Sequence, residues 1–404
     1  MKILQICPIF SSRPKEVGSG VTQVVYNISK ELSKRGHEVK VYTSNALDVK
    51  RKMSNEGSSV IVDGIKVNFF PYKVHYYTFF LTPSMISAVR RNLKEFDIIH
   101  IHDLRAFQSI VVYYYARKYG VPYVLQVHGS LPRIMAKQRL KWIYDFFFGY
   151  RLLKDASKVI ALSQIEAEQY KRMGVPEEKI AIIPNGIDLS EYANLPPKGC
   201  FKKKFGIKEE KKTVLYLGRI HKIKGIDILV RTFANVVKKL DDVRLVIVGP
   251  DDGYLSELEA LIKALKIEDK VLITEPLYDR DKLEAYVDAD LYVLPSRYET
   301  FPMTILEAYA CGKPVIASKL DGLKDLVINR KTGLLIAPGN AEQLAKSIFS
   351  VLNDHDKAEE MGLRGRQFMK ENFTITKVVN RLEDLYKEVV SSQPSGLQKQ
   401  QLTC

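Results

Sequence analysis

The sequence has few cysteines, no long apolar run and no excess of acidic residues. Its four cysteines lie far apart and form no Cys-x-x-Cys pair: Cys7, Cys200, Cys311 and Cys404. This spacing argues against a zinc or redox motif and against a disulfide framework, so we expect a reducing, cytoplasmic location. No window approaches the roughly 18 consecutive apolar residues of a membrane-spanning helix. The apolar stretch 1–7 is broken by Pro8 too early for a secretion signal and predicts a first core strand.

The charge is positive and unevenly distributed. The 404 residues include 62 Lys and Arg against 47 Asp and Glu, a net charge of +15. Residues 1–200 contain 29 basic and 17 acidic side chains, whereas residues 201–404 contain 33 and 30. We therefore expect the first half to attract an anion, which could be a phosphorylated substrate, an acidic lipid surface or a nucleic acid. A basic surface with no partner is the alternative.

Short apolar runs alternate with amphipathic stretches, a pattern typical of βα units and parallel sheets. The predicted strands are 2–7, 38–43, 97–101, 122–127, 158–162, 213–217, 243–248, 270–274, 290–294, 314–317 and 333–336. A helix is predicted over 21–35, ending at Gly36. The Pro- and Lys-rich residues 194–212 predict a linker, and the polar residues 391–404 predict a flexible tail. The fold class is thus α/β, with a doubly wound domain on each side of the linker.

A glycine-rich motif of the first half lies where parallel sheets bind ligands. Gly18, Ser19 and Gly20 follow the first strand, so bare backbone amides there could approach a phosphate. The third glycine of a dinucleotide fingerprint is replaced by Gln23, which disfavours a nicotinamide domain and leaves a flexible loop as the alternative.

Histidines close two further strands of this half. His100 and His102, next to Asp103, are predicted on one face of a strand, but no third ligand of suitable spacing supports a metal pair. His128 follows the strand 122–127 at a carboxyl edge, where a ligand contact and a structural role are equally open.

The second half has a basic motif and an acidic motif. Gly218 and Arg219 close a strand, and Lys224 follows in what we expect to be an open loop. The planar guanidinium of Arg219 and the flexible ammonium of Lys224 would together neutralise a diphosphate. A solvated basic loop is the alternative. Glu299 precedes a helix that Pro302 opens, and Glu307 lies on that helix among apolar residues. A carboxylate in such surroundings needs hydrogen bonds, which a pair of ligand hydroxyls would supply.

These motifs together resemble the family-four retaining glycosyltransferases. His128-Gly129, residues 184–188 (Pro-Asn-Gly-Ile-Asp), Gly218-Arg219 with Lys224-Gly225, and Glu299-x7-Glu307 occur in the family's order and spacing. The resemblance covers about residues 1–390. It implies the GT-B fold, in which two Rossmann-like doubly wound domains face each other across a cleft.

The resemblance also implies the division of the chain. Residues 1–193 would form the acceptor-side domain and residues 213–372 the nucleotide-sugar-binding domain. Residues 373–390 would form a last helix that packs back on the first domain.

Roles for individual residues follow from the same resemblance. Arg219 and Lys224 would hold the donor diphosphate, Glu299 would lie against the transferred sugar, Glu307 would bind the ribose hydroxyls, and His128 would contact the donor sugar. His128, Arg219, Lys224 and Glu299 form the implied catalytic set. The other implied donor contacts are Gly18, Ser19, Gly20, Gly218, Glu275, Leu277, Thr300, Phe301, Pro302, Met303 and Thr304. His102, Asp103 and Asn185 are candidates on the acceptor side.

Three positions depart from the family pattern. The usual Gly-Gly of the first loop is Ser19-Gly20, and the usual Glu-Gly-Phe-Gly is Glu299-Thr300-Phe301-Pro302. The later Gly-Gly-x-x-Glu becomes residues 321–325, Asp-Gly-Leu-Lys-Asp. These changes affect the sugar contacts and leave the diphosphate contacts in place.

The implied reaction is transfer of a sugar from a nucleotide-diphosphate sugar to a hydroxyl, with retention and with no metal or other cofactor. The residues do not distinguish UDP from GDP or ADP. Aromatic residues in 69–80 and two apolar stripes in 135–154, with Lys137, Arg139 and Lys141, predict a peripheral contact with an anionic membrane, at its inner face, and a lipid-linked or saccharide acceptor. One stripe can pack on the sheet, and the other would then face the cleft, a partner or lipid. The alternative is that both stripes belong to the core.

Two other functions remain open at this point. A nucleotide-sugar epimerase or phosphorylase would share the fold. A basic nucleic-acid-binding protein would explain the charge, although no zinc finger, RNA-binding sheet motif or recognition helix is evident, so no nucleic-acid partner is expected.

Overall fold

The computed structural model describes residues 1–11, 20–47, 51–53, 58–76, 78–133 and 138–393. Their contacts divide the chain into two compact units, with boundaries between Ile183 and Pro184 and between Ile375 and Thr376. Within the described ranges, the amino-terminal unit takes residues 1–11, 21–183 and 376–393, and the carboxy-terminal unit takes Gly20 and residues 184–375.

Strands and helices alternate along most of the chain. The strands are β1 (Lys2–Ile6), β2 (Glu38–Ser44), β3 (Ser59–Val62), β4 (Ile65–Phe70), β5 (Val74–Tyr76), β6 (Phe79–Leu81), β7 (Ile98–His102), β8 (Tyr123–Gln126), β9 (Lys158–Ala161), β10 (Ile180–Ile182), β11 (Lys212–Leu217), β12 (Val243–Val248), β13 (Val271–Thr274), β14 (Leu291–Leu294), β15 (Val315–Ser318) and β16 (Gly333–Ile336). The helices are α1 (Gly20–Lys34), α2 (Pro83–Asn92), α3 (Phe107–Tyr119), α4 (Gln138–Tyr144), α5 (Tyr150–Asp155), α6 (Gln164–Arg172), α7 (Cys200–Lys204), α8 (Ile226–Val236), α9 (Leu255–Ala264), α10 (Asp279–Asp288), α11 (Met303–Ala310), α12 (Ala341–Asn353), α13 (His355–Asn372) and α14 (Ile375–Ser391).

The amino-terminal unit is built on an eight-stranded sheet in the order β10-β9-β8-β7-β1-β2-β4-β3. Its pairs are parallel except for β3 with β4, which is antiparallel. The order reverses between β1 and β7, where β1 and the later strand β7 lie side by side. In doubly wound sheets such a reversal opens a crevice at the carboxyl ends of the strands, where ligands bind.

The carboxy-terminal unit has a six-stranded sheet in the order β13-β12-β11-β14-β15-β16. All five strand pairs are parallel. Counted within the unit, the order is 3-2-1-4-5-6, that of a dinucleotide-binding fold, and its reversal lies between β11 and β14. The predicted α/β class with two doubly wound domains is confirmed.

Helices on both faces of each sheet explain why the central strands are buried along their whole length. Every residue of β7 and of β14 is buried, as expected when helices cover both sides of a parallel sheet. Helix α1 shows the complementary pattern, with Val24, Ile28 and Leu32 buried at four-residue spacing. The helix ends as predicted before Gly36, whose φ of +85° is a left-handed conformation that glycine adopts without strain.

All eleven predicted strands are present, with bounds shifted by at most a residue or two. The sequence interpretation missed β3, β4, β10 and the antiparallel pair β5–β6. The segment predicted as a linker contains α7, and Asp288 of α10 accepts hydrogen bonds from the backbone N–H groups of Gly199 (2.5 Å) and Lys202 (2.9 Å). These bonds dock the segment on the carboxy-terminal unit.

Candidate functional site

In the carboxy-terminal unit, the basic and acidic motifs meet at the reversal of strand order. Gly218 and Arg219 follow β11, and Glu299 follows β14 by five residues. Because β11 and β14 are parallel neighbours, with Val214 beside Leu291 and Leu215 beside Tyr292, their following loops leave the sheet at the same edge. The predicted donor residues therefore lie at the ligand-binding edge of this sheet.

A close backbone contact holds the two loops together. Gly225 ends the 3-10 turn Lys222–Lys224 with a φ of +67°. A Cβ on Gly225 would lie 2.1 Å from the carbonyl oxygen of Pro295, so any side chain would force the loops apart. The turn is capped by His221, whose Nδ1 accepts from the backbone N–H of Ile223 at 3.0 Å. Glycine at 225 is thus what places Lys224 beside the end of β14.

Lys224 and Glu299 form an ion pair at this contact. The Lys224 Nζ donates to Glu299 Oε1 at 2.6 Å, and Ser296 Oγ donates to the same oxygen at 2.7 Å. The side chains of Lys224 and Glu299 are only 16% and 8% exposed. The expectation that Lys224 lies on an open loop is therefore wrong, because the Gly225 contact draws the turn against β14.

Arg219 matches the open-loop expectation better. Its side chain is 52% exposed and pairs with Asp252. Tyr216 donates its hydroxyl to the Arg219 carbonyl at 2.8 Å, which fixes the backbone beneath the guanidinium. The structure therefore provides one exposed cation, paired with Asp252, and one largely buried cation, paired with Glu299, at the same sheet edge.

Gly322 supports the backbone of the acidic motif, a role that the sequence interpretation did not assign. A Cβ on Gly322 would lie 2.5 Å from the Glu299 carbonyl oxygen and 2.7 Å from that of Thr300. The sequence signals this role only by the glycine at 322, the one glycine that residues 321–325 keep of the family's Gly-Gly-x-x-Glu. Close packing against Glu299 explains why that glycine is needed.

Glu307 is held by two side chains of α10. Lys282 Nζ donates to Glu307 Oε1 at 2.8 Å, and the Tyr286 hydroxyl donates to Oε2 at 2.9 Å. Burial opposes the charge of Lys282, but the Glu307 carboxylate outweighs it and raises the pKa of Lys282. Lys282 was not among the sequence candidates, since nothing in the local pattern links it to a residue 25 positions later. The carboxylate is thus oriented and kept beside a cation.

The other predicted donor residues surround these groups to different degrees. Glu275 and Leu277 follow β13 at the same carboxyl edge. Thr304 accepts a hydrogen bond from the Tyr292 hydroxyl at 2.7 Å, one helical turn before Glu307. Pro302 is buried and Met303 half-buried, while the buried Phe301 ring packs edge-on against Phe373. Asn185, which was predicted on the acceptor side, is buried in this unit.

In the amino-terminal unit, His102 ends β7 beside the reversal of strand order, and His128 follows β8. The prediction that His100 and His102 share a face is confirmed, because their ring centroids are 3.9 Å apart. His102 Nδ1 lies 2.9 Å from His128 Nε2, and the two rings are stacked. Burial lowers the pKa of His128 to about 3 and that of His100 to about 3, and it lowers the pKa of His102 well below its usual value. All three rings are therefore neutral at physiological pH.

Asp103 and the glycine loop are the remaining residues predicted in the first half of the chain. Asp103 has a φ of +91° and accepts from the Arg105 backbone N–H and from Ser130 Oγ, both at 3.2 Å. Burial raises the pKa of Asp103. Gly20 is the exposed first residue of α1, whereas Gly18 and Ser19 lie outside the described residues. Among the residues described, no three His, Cys, Asp or Glu side chains form a group that could hold a metal ion.

The His128 backbone is fixed by a buried carboxylate on α6. His128 and Gly129 have successive positive φ values of +51° and +77°. Glu166 Oε1 accepts from the Gly129 N–H at 2.6 Å, and Oε2 accepts from the Leu162 N–H at 2.7 Å. Burial raises the pKa of Glu166 to about 7, although both hydrogen bonds act in the opposite direction. The loop that carries His128 therefore depends on a carboxyl group that titrates near neutrality.

We predict that Glu166 makes the amino-terminal unit less stable as the pH rises. Its folded-state pKa is above the unfolded value, so its stabilising contribution is fully present below the unfolded pKa and is lost as the pH rises through about 7. Between about pH 5.5 and about pH 8, the wild type should lose about 2 kcal/mol more than Glu166→Gln. Urea unfolding of both proteins at both pH values measures this difference. Equal pH dependence in the two proteins would contradict the prediction.

An exposed apolar patch lies on α4, α5 and the π-helical turn Asp145–Gly149 between them. We define it by the exposed side chains of Leu140, Trp142, Ile143, Phe146, Phe147, Phe148 and Tyr150. Trp142 and Phe146 stack with centroids 5.6 Å apart. Beneath them Asp145, which is fully buried, accepts hydrogen bonds from Arg105 Nη2 at 2.7 Å and from Arg133 Nε at 2.8 Å.

The prediction that one apolar stripe packs on the sheet is wrong. The stripe Leu140, Ile143, Phe147 and Tyr150 is exposed throughout, and the stripe Trp142, Phe146, Gly149 and Leu153 is buried only at its last two positions. The π-helical turn adds residues to one turn, so a 3.6-residue period does not continue through it. Members of both stripes therefore reach the surface.

Comparison with known proteins places these features in context. Residues 18–191 match the family model described as Glycosyltransferase Family 4, and residues 198–368 match the model described as Glycosyl transferases group 1. N-acetyl-alpha-D-glucosaminyl L-malate synthase of Bacillus anthracis is 26% identical, over 95% of this chain and 97% of that protein. Alpha-monoglucosyldiacylglycerol synthase of Streptococcus pneumoniae is 27% identical, over 93% of this chain and 83% of that protein.

Solved structures share the fold along most of the chain. Sucrose-phosphate synthase of Thermosynechococcus elongatus superposes with a TM-score of 0.77 at 22% identity, covering 97% of this chain and all of that chain. HepE of Anabaena, in complex with UDP-glucose, superposes with a TM-score of 0.77 at 22% identity, covering 96% of this chain and all of that chain.

Proposed function

Because the chain belongs to the family-four glycosyltransferases and has their GT-B fold, we propose that it transfers a sugar with retention from a nucleotide-diphosphate sugar to a hydroxyl of a lipid-linked acceptor. Glycosyl transfer from a nucleotide sugar is the activity that its family membership gives it. Retention, metal independence, the acceptor class and the residue roles are our proposals.

One arrangement carries the proposal. Lys224 and Glu299 are paired at 2.6 Å at the reversal between β11 and β14, with Arg219 on the same loop and Glu307 on the following helix. A donor needs positive charge at its diphosphate and acceptors at its hydroxyls. Two cations and two carboxylates at one sheet edge supply both.

We propose that the protein acts chiefly by placing the donor and stabilising its leaving group. The bond between the anomeric carbon and the diphosphate oxygen breaks, and the acceptor oxygen forms a bond on the same face. The acceptor proton passes to the departing phosphate oxygen, so atoms and charge balance without a covalent intermediate. Arg219 and Lys224 would stabilise the charge that develops on the diphosphate, the term that usually contributes most to such catalysis.

The roles of the remaining residues follow from their positions. Glu299 would accept from hydroxyls of the transferred sugar, and Glu307 from the ribose hydroxyls, with Thr300, Phe301, Pro302, Met303 and Thr304 contributing backbone and packing contacts. Glu275 and Leu277 would lie near the base. His128 would contact the donor sugar, and His102, Asp103 and Asn185 are proposed on the acceptor side. Since Arg219 and Lys224 supply the positive charge, we propose that the reaction requires no metal.

We predict that nucleoside diphosphate is released from one nucleotide sugar only when a hydroxyl acceptor is present. UDP-glucose is the first donor to test, because HepE binds it, with GDP- and ADP-sugars beside it. The product should keep the anomeric configuration of the donor in its proton NMR spectrum, and the rate should be unchanged in EDTA. Sugar epimerised without an acceptor, or release that requires inorganic phosphate, would instead identify an epimerase or a phosphorylase. Loss of activity in EDTA restored by magnesium would contradict metal independence.

We predict that Arg219→Ala and Lys224→Ala each lower kcat by roughly 10²-fold or more, because transition-state charge stabilisation is lost. Lys222→Ala is the matched control, since it removes an exposed lysine from the same turn and should retain turnover. Only Lys224→Ala should also lower the free energy of unfolding, because it leaves Glu299 in a nearly buried position without its cation. Adding Glu299→Gln should restore part of that stability. Wild-type turnover in either single variant would refute the diphosphate assignment.

The apolar patch supports the lipid-linked acceptor. Seven large apolar side chains are exposed within eleven residues. Removing this apolar surface from water would be favourable, which is typical of an interaction site. A shallow, open groove of about 500 Å³ at their edge is lined by Arg133, Gln138, Arg139, Trp142 and Ile143. Arginine next to tryptophan suits the interface of an anionic bilayer. No helix in the described part of the chain is long and apolar enough to span a bilayer, so we propose a peripheral contact through this patch.

We predict that the protein binds vesicles containing phosphatidylglycerol and does so more weakly as salt is raised from about 0.05 M to about 0.5 M. Trp142→Ser/Phe146→Ser should weaken binding at least about tenfold by removing apolar contact area. The matched control is Ile61→Ser/Leu363→Ser, which removes two exposed apolar side chains far from the patch in sequence. Equal loss in both variants, or no vesicle binding at low salt together with transfer only to water-soluble acceptors, would overturn the membrane proposal.

A further inference from the structure

The ring of His128 is connected by hydrogen bonds to a polar layer inside the amino-terminal sheet. Gln5 on β1, His100 and His102 on β7 and Gln126 on β8 are all buried, although they lie in the middle of an apolar sheet. Buried polar side chains cost free energy unless they are hydrogen-bonded. Four such residues on three adjacent central strands therefore need an explanation.

The donor and the acceptor can be assigned in each hydrogen bond that joins Gln5, His102 and His128. Gln5 Oε1 lies 2.7 Å from His102 Nε2 and, being an amide oxygen, can only accept. His102 Nε2 must therefore have the proton of the neutral ring, and its Nδ1 must be the acceptor. His128 Nε2, at 2.9 Å from that Nδ1, must then donate. It follows that the neutral His128 ring has its proton on Nε2 and a lone pair on Nδ1.

The Nδ1 atom of His128 is buried and has no hydrogen-bond partner among the residues that the structure describes. Leaving a buried hydrogen-bond acceptor unsatisfied costs free energy. The backbone of His128 is held in place, because the N–H of the next residue, Gly129, donates a hydrogen bond to Glu166. The orientation and the tautomer of the His128 ring are thus fixed, and its Nδ1 is left as an acceptor for a ligand.

We propose that Gln5 and His102 are positioning residues that hold His128 as the Nε2-protonated tautomer, so that its Nδ1 accepts a hydrogen bond from a hydroxyl of the donor sugar. This inference rests on the proposed function only in taking the donor sugar as the partner of His128. A ring held as the other tautomer would present an N–H, which would donate to the oxygen of a hydroxyl and could not accept its hydrogen. The chain of Gln5, His102 and His128 therefore selects a donor that offers a hydroxyl hydrogen at this point.

The first test is spectroscopic and needs no activity. Histidine labelled with ¹⁵N, in the full-length protein, distinguishes protonated from unprotonated ring nitrogens in long-range proton–nitrogen spectra. The His128 signals are assigned by their loss in His128→Asn. We expect Nε2 protonated and Nδ1 unprotonated at neutral pH. A His128 ring with its proton on Nδ1, or with equal populations of the two tautomers, would overturn the proposal.

Variants then connect the tautomer to donor use. Gln5→Met removes the accepting oxygen at similar volume and should lower kcat/KM for the nucleotide sugar by about 10- to 100-fold, as losing a partner that orients a functional histidine does elsewhere. It should leave the affinity for UDP alone unchanged, because UDP lacks the transferred sugar. Gln5→Glu keeps an accepting oxygen at the same place and should restore both the tautomer and most of the activity.

Gln126→Met is the matched control. It makes the same change in the same buried layer, on the strand next to β7, and Gln126 is outside the hydrogen bonds that join Gln5, His102 and His128. It should alter neither the His128 signals nor kcat/KM. Equal losses in Gln5→Met and Gln126→Met, or weaker UDP binding in Gln5→Met, would indicate a structural role only. If His128→Asn retains full turnover while the predicted tautomer is observed, the sugar contact fails and the tautomer assignment stands.

Discussion

Parallel pairing of β11 with β14 is the constraint on which the carboxy-terminal site depends. Two strands that are distant in sequence lie side by side with their carboxyl ends together, so the loops after them meet. The meeting is tight enough that the backbone at position 225 can have no side chain, since the Pro295 carbonyl occupies the place of a Cβ. The ion pair of Lys224 and Glu299 is a consequence of that contact. The chemistry of the site is thus determined by a backbone approach more than by the charges themselves.

The sequence predicts what depends on local pattern and misses what depends on packing. The strands that flank the site, and Arg219, Lys224, Glu299 and Glu307 in the segments that follow these strands, can be predicted from apolar runs and motif spacing. The support of Glu299 by Gly322, and of Glu307 by Lys282, could not be predicted, because each joins segments that only the tertiary structure brings together. One miss was avoidable. The Asp63-Gly64 turn joins β3 and β4 with positive φ at both residues, and an Asp-Gly pair between two apolar runs is a strong hairpin signal.

The two units stabilise their polar functional side chains away from water in different ways. In the carboxy-terminal unit, each functional carboxylate is largely buried and lies beside a lysine, so its charge is balanced locally by an opposite charge. In the amino-terminal unit, His102 and His128 are kept neutral by burial, and polarity is balanced by the direction of hydrogen bonds. The first arrangement suits a highly charged diphosphate. The second suits the uncharged hydroxyls of a sugar.

Helix α14 completes the amino-terminal unit from the far end of the sequence. Tyr386 lies 2.7 Å from His100, and Glu383 binds both Arg35 and His37. On a ribosome, the chain emerges from its amino terminus, so β1, α1 and β7 are made long before the helix that covers them. The sheet that is synthesised first is therefore finished last, after the whole carboxy-terminal unit has been translated. Until then His100 lacks its contact with Tyr386, and a nascent chain interrupted before residue 375 would have an open, incomplete domain.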